Sequence, residues 1–318
     1  MDDRAGPHRS DAWPAVLGRV LPGIGGVGIV ERLSALSGSD FTSVMLGVVR
    51  RRAARESPAT VLRRYERDRF VRTGGPPWRS LRLAEDTLLS CLPRTVDVVT
   101  LAPLVPLGAH SVLATVSQDK VVTAIRACEV AADPTNALAL EAAVRRARAG
   151  NEVVRLAAVQ RVVRAQHSGR AGDLAHFSLL GLVTAGRDEG SYRFERAALA
   201  EHVRFAVGGL AAAGLTRIQV ALTPLSDAGQ RIAAAVSNEL ADVPADIVED
   251  LTRQRGRGYY RDLCFKVHAD TGGELEEIGD GGFTDWTMRL AASRKERLLI
   301  SGLGLDRLAA FISAHETI

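Results

Sequence analysis

Apolar residues recur at two different periods along this chain, and the change of period divides it. Through "FTSVMLGVVRRRAARE" and "ATVLRRYERDRFVR" they return every three or four positions with arginines between them, which predicts two amphipathic helices. Ser39 and Asp40 are placed to cap the first, and Ser57 with Pro58 opens the second. A "TGGPPW" loop at Thr73 to Trp78 then marks a boundary between a helical preface, residues 1–75, and a core, residues 76–318.

Beyond that loop the pattern alternates between strand and helix. "VDVVTLAPLVPLG" reads as a strand interrupted by Pro103 and Pro106, "SVLATVSQ" and "KVVTAIRACEV" as β-rich runs, and "TNALALEAAVRRARA" as a periodic helix. "VRLAAVQRVVRAQ" and "HFSLLGLVTAG" predict an antiparallel pair across a glycine-bearing loop. "FERAALAEHVRFAVGGLAAAGL" predicts a long helix, "RIQVALTPL" a strand, and "SDAGQRIAAAVSNEL" a helix capped by Ser226 or Asp227. Strands at "CFKVHA", "ELEEIGDGG" and "RLLISG" complete the set. The expected fold class is α+β: a mostly antiparallel sheet flanked by helices, behind a helical N-terminal preface.

Composition narrows this only a little. With 318 residues and 46% hydrophobic content the chain has ample material for a core, so disorder is excluded as the main state. A net charge of +4 comes from arginine excess, which permits contact with nucleotides or nucleic acid without demanding it. Arg50, Arg51, Arg52, Arg55, Arg63, Arg64 and Arg67 on the predicted helices either meet phosphates or form a solvated face. Cys91, Cys128 and Cys264 are few and set among apolar neighbours, which points to reduced thiols in a cytoplasmic protein and to no structural zinc. The polar start "MDDRAGPHRSDAW" lacks the pattern of an export signal, and Arg19 breaks the apolar patch that follows, so no membrane partner is expected. Gly23, Gly25 and Gly28 satisfy Gly-x-Gly-x-x-Gly but follow no strand, so they read as a helix-entry loop. His176 and His268 read as hydrogen-bonded structural residues.

The last apolar stretch, "LLISGLGLDRLAAFI" at Leu298 to Ile312, reads as a strand, a glycine hinge at Gly302 and Gly304, and a helix headed by Asp306 and Arg307. This string resembles the third signature motif of class II aminoacyl-tRNA synthetases. Upstream, in the same order as in the histidyl branch of that family, stand "ADPTN" at Ala132, "VVRAQHSGRAGDLAHF" at Val162, "RGRGYY" at Arg255 and "GDGGFTDW" at Gly279. The resemblance spans roughly Val98 to Ala310. It implies an ATP site, with Mg2+ arriving with the nucleotide. Arg164, Arg255 and Arg307 would neutralise the triphosphate, because a guanidinium is permanently charged and engages phosphate through paired hydrogen bonds. Gln166 and Phe177 would face the adenine, and Gly302 and Gly304 would give the nucleotide room. Asp133, Thr135, Tyr259, Tyr260 and Asp285 would face a small carboxylic or amino acid.

Departures from the family pattern are equally legible. The glutamate of the second motif is Gln166 here, its later arginine is Ala175, and two polar pocket positions fall on Leu179 and Val183. Arg170 and His167 are the uncertain substitutes for the missing arginine, and histidine is not the expected substrate. The resemblance thus implies an ATP-dependent ligase that makes an acyl-adenylate for a non-tRNA acceptor, or a non-catalytic relative of the ATP phosphoribosyltransferase regulatory subunit. The chain ends soon after Arg307, so no anticodon-binding module and only weak transfer-RNA binding are expected. The Val98 to Gly108 stretch would build a homodimer.

Overall fold

Runs of leucine and β-branched residues form the strands of a computed structural model that describes residues 9–166, 174–254 and 258–315. Eight of them join in one sheet in the order β1 (Asp97–Val98), β5 (Val154–Val163), β6 (His176–Arg187), β11 (Glu296–Gly304), β10 (Leu275–Thr284), β9 (Arg261–Asp270), β7 (Ile218–Pro224) and β8 (Asp246–Glu249). The neighbours are antiparallel except β1 with β5 and β7 with β8. A small second sheet pairs β2 (Leu104–Pro106), β4 (Cys128–Val130) and β3 (Thr123–Ala124).

Strand alternation sends each sheet face to a different partner. Leu180, Leu182, Phe265, Val267, Leu299 and Leu303 bury against helices α5 (Trp78–Ser90), α7 (Arg193–Ala212), α8 (Asp227–Glu239) and α10 (Leu305–His315). The other face carries Leu156, Ala158, Val183, Leu298 and Ile300, and packs on α6 (Pro134–Ala149) and α9 (Trp286–Leu290). A buried pair, Arg146 Nε to Glu296 Oε2 at 3.0 Å, ties α6 to β11. Helix starts follow local chemistry. Ser226 accepts from the Gly229 N–H, and Asp133 from the Thr135 N–H with Pro134 in the first turn.

The preface is helical, as its periodicity predicts: α1 (Arg9–Val20), α2 (Gly28–Ser34), α3 (Gly38–Ala53) and α4 (Pro58–Arg67). Of residues 15–67 only Leu21 is buried, so these helices contribute little to the core. The chain beyond α4 does engage it. The Ala175 N–H donates to the Arg69 carbonyl at 3.1 Å, and the Arg69 guanidinium reaches the Ala165 carbonyl. Among the described residues no helix is long and apolar enough to cross a membrane, and no disulfide links Cys91, Cys128 and Cys264.

Three local expectations need correction. The stretch from Val98 to Gly108 is not one strand: β1 and β2 lie in different sheets, separated by a segment containing Pro103, whose nitrogen cannot donate to a ladder. "SVLATVSQ" opens inside a turn of π-helix, Ala109–Leu113, rather than a strand, because His110 is drawn in by Glu129. Ser37 caps α3, its hydroxyl accepting from the Asp40 N–H at 3.2 Å, and Ser39 lies inside the helix.

Candidate functional site

Register decides which residues meet on the α6 face of the sheet. Ala158, Gly181, Gly302 and Asp280 align in one row across β5, β6, β11 and β10. Gly181 lies beneath α6, where an added Cβ would come within 2.8 Å of Pro134. Gly302 is different: the nearest atom to an added Cβ is the Leu180 carbonyl oxygen at 3.8 Å, so internal packing does not require glycine and the floor is bare. Gly304 has an internal reason, since a Cβ there would sit 3.3 Å from the Ile278 carbonyl oxygen. The expected clearance for a ligand therefore belongs to Gly302, while Gly304 also serves strand packing.

Side chains from distant segments wall this floor. Arg164 follows the end of β5, stands over the Phe177 ring at 5.1 Å, and donates from Nε to the Ala132 carbonyl at 3.0 Å. Its Nη2 reaches Asp133 Oδ2 at 3.1 Å, yet the side chain is 44% exposed. Asp133 also accepts from the Thr135 hydroxyl at 2.7 Å, so its cap role and its hold on Arg164 coincide. Tyr259 meets Tyr260 and Trp286 edge to face, at 4.8 and 5.6 Å. The Tyr260 hydroxyl donates to Asp280 Oδ2 at 3.1 Å, and Arg253 Nη2 lies 3.4 Å from the same oxygen.

These contacts set the electrostatics. Burial pushes both phenols well above their ordinary range, and the carboxylates of Asp133 and Asp280 add to the effect. Burial likewise raises the Asp280 carboxyl, with Arg253 pulling the other way. Glu277 is held low instead: burial opposes its charge, but Lys266 Nζ at 2.6 Å outweighs that.

Arg307 stands exposed at the head of α10 and donates to the Glu277 carbonyl on β10. Arg164 and Arg307 thus flank the floor from its β5 and β10 sides, with Phe177 and Gly302 on the strands between. Asp306 anchors that helix by accepting from the Ser178 N–H at 2.7 Å. Gln166 is exposed, and its carbonyl accepts from Arg69 at 3.4 Å. Asp285 turns elsewhere: it bonds Arg261 at 2.8 Å and lies 3.7 Å from Arg289. Arg255, His167 and Arg170 lie outside the described residues. His176 is bonded by Arg161 and to the Arg72 carbonyl, whereas the buried Nδ1 of His268 has no hydrogen-bond partner among the described residues.

Sequence reasoning passed over three participants. Asp280 lies in the "GDGGFTDW" string, one residue before the two glycines shared with the family segment, on the α6 face of β10. Arg253, 5% exposed, is marked by nothing local. The third is a buried pair behind Asp133. Glu129 Oε1 accepts from the His110 N–H at 2.9 Å and contacts Nδ1 at 2.7 Å, while Oε2 accepts from Gln118 at 2.8 Å. Burial opposes the Glu129 charge, but these donors prevail and hold it low. His110 Nε2 accepts from the Ala132 N–H at 3.0 Å, so Nδ1 carries the proton. The pair fixes the residue whose carbonyl grips Arg164.

No family model and no curated protein sequence matches the chain. Solved structures do. An ATP phosphoribosyltransferase regulatory subunit/histidyl-tRNA synthetase from Bacillus halodurans matches with TM-score 0.57 at 14% identity, over 76% of this chain and 81% of that one. A histidine–tRNA ligase subunit from Alicyclobacillus acidocaldarius gives TM-score 0.57 at 16% identity, over 77% and 96% of the two chains. Apo histidyl-tRNA synthetase from S. aureus gives 0.58 at 14% identity, over 75% and 66%. Identities this low establish architecture rather than activity. The chain has the α+β fold of histidyl-tRNA synthetase-like class II domains, a mostly antiparallel sheet flanked by helices.

Proposed function

We propose that the α6 face of the sheet binds ATP and a small carboxylic or amino acid, and joins them as an acyl-adenylate for a non-tRNA acceptor. The observation that carries this reading is the bare floor at Gly302 between two exposed arginines, with Phe177 under one of them. Attack of a carboxylate on the α-phosphorus expels pyrophosphate, so charge along the triphosphate must be neutralised in a fixed geometry. Arg164 and Arg307 would supply that charge, with Arg255 as a third candidate, and Phe177 and Gln166 would hold the adenine. Mg2+ would come with the nucleotide, bound through its phosphates.

A second reading is favoured by specific observations. Ala175 and Val183 stand where the family pattern has an arginine and a glutamate, and Asp133 already occupies one amino group of Arg164. A site so reduced suits a non-catalytic sensor of a small molecule, and one of the structural matches carries the name of a regulatory subunit. ATP–pyrophosphate exchange, screened across amino and carboxylic acids, separates the two. Exchange with any acid supports the ligase; binding of a small acid without exchange supports the sensor. The quaternary proposal is a two-fold dimer through the edge at β1 and β2, where Val98, Leu104, Leu107 and Val112 are exposed. Sedimentation as a monomer at micromolar concentration would remove it.

A further inference from the structure

The row of aligned residues on the α6 face includes a carboxylate at a position the family segment does not use, and passes from it to Lys266 on β9. Asp280 is one strand from Gly302 in register, about 5 Å across the sheet, so a molecule lying over the bare floor has this side chain beside it. On the far side of Gly302 the row continues through Gly181 and Ala158, which offer no polar group. Leu179 and Val183, on the same face of β6, are apolar as well. Within the row itself, from Ala158 to Asp280, the polar side chain is Asp280; Arg164 and Asp133 stand at the β5 side of the floor.

The ion pairs around it are unequal. Lys266 is taken by Glu277 at 2.6 Å, and Arg164 lies 3.1 Å from Asp133. Asp280 has the loosest pairing: Arg253 is 3.4 Å away and is also bonded to the Phe265 carbonyl, and Asp280 remains 42% exposed. A carboxylate accepts about four hydrogen bonds, and among the described residues the donors on Asp280 are the Tyr260 hydroxyl and this distant guanidinium. Tyr260 is itself fixed, because its ring packs on Gly282, where a Cβ would come within 2.6 Å. The carboxylate is thus held in place from behind while its front stays open.

We propose that Asp280 determines specificity, accepting hydrogen bonds from a protonated amino or guanidino group at the distal end of the small acid that lies over Gly302. The inference rests on the acid-binding part of the reading above and adds the class of acid: one with a cationic side chain. Charge-assisted hydrogen bonds to a carboxylate discriminate strongly against neutral isosteres, because an unanswered acceptor remains when the cation is missing.

The test is calorimetric titration of the full chain with L-lysine, L-ornithine and L-arginine, against L-norleucine and L-glutamine, and separately with ATP. At least one cationic acid should bind about tenfold or more tighter than the neutral pair. Asp280→Asn should remove that preference without changing ATP affinity. Tyr260→Phe, which keeps the carboxylate, should reduce the preference without abolishing it. Equal affinity for L-norleucine, or no binding of any cationic acid by a wild-type chain that binds ATP, overturns the assignment and leaves the nucleotide reading standing. Cationic binding without ATP binding does the opposite. Since the panel on the wild-type chain decides by itself, a misfolded variant cannot obscure the answer.

Discussion

Two polar clusters lie on opposite faces of the same strands, and they are finished to different degrees. Behind the sheet, His202 on α7 is fully buried, with Nε2 3.0 Å from the Thr184 hydroxyl of β6 and Nδ1 2.8 Å from the Ser301 hydroxyl of β11. Both ring nitrogens are answered by the protein itself. In front, Arg164 pairs with Asp133 and Asp280 with Tyr260 and Arg253, and the Arg164 and Asp280 side chains stay 44% and 42% exposed. Saturated buried polar groups fix a helix to a sheet; groups with remaining hydrogen-bonding capacity, above a floor without side chains, are suited to a ligand.

The largest way to break this contrast is His202→Ala. It leaves a cavity, the buried Ser301 hydroxyl without its His202 partner and the Thr184 hydroxyl with only Glu201 at 3.4 Å, so it should cost about 3 kcal/mol of stability and leave ATP affinity unchanged, read by denaturant unfolding and titration. Next comes pH. Burial, with Arg155 nearby, lowers the His202 pKa from 6.5 to about 3. Between those values the unfolded chain binds a proton that the folded chain refuses, so this contribution is complete above pH 6.5 and declines as pH falls. The slope is about 1.4 kcal/mol per pH unit from this group, and His202→Gln should remove it from the acid limb of an unfolding profile.

On the front face the expected effects are on binding. Arg164→Ala or Arg307→Ala should weaken ATP by roughly 1.5–3 kcal/mol, the worth of a charge-assisted hydrogen bond. Stability should change little, because the Arg164 pair with Asp133 is well solvated. Lowered melting temperature with unchanged ATP affinity would make these arginines structural. The smallest effect belongs to the preface: replacing Arg50, Arg51 and Arg52 by serine should weaken only a salt-sensitive, anticodon-independent association with transfer RNA. Binding that is sequence-selective at high salt would contradict this.

Much of the fold was legible because it is local. The extents of β5, β6 and α7, the caps at Ser57, Asp133 and Ser226, and the strand, hinge and helix that carry Arg307 follow from periodicity and capping chemistry within a few residues. The weak point was 98–118, where short apolar runs between prolines suit strand and loop alike; Glu129, Gln118 and His110 settle them through contacts between segments.

For the candidate site, the chain order of the motifs was enough to name Arg164, Phe177, Asp133, Thr135, Tyr259 and Tyr260, which the fold gathers on one face, and Arg307, which it sets at that face's β10 side. Order could not show that Asp285 pairs outward with Arg261, or that Gly302 and Gly304 differ in what an added side chain would meet. Sequence by itself determined most of the elements and the residue types proposed to meet a nucleotide, because helix and strand preferences act over short stretches of chain. Only tertiary structure decided that Asp280, Arg253 and Tyr260 meet beside a bare floor, since strand register joins positions that lie far apart in the chain.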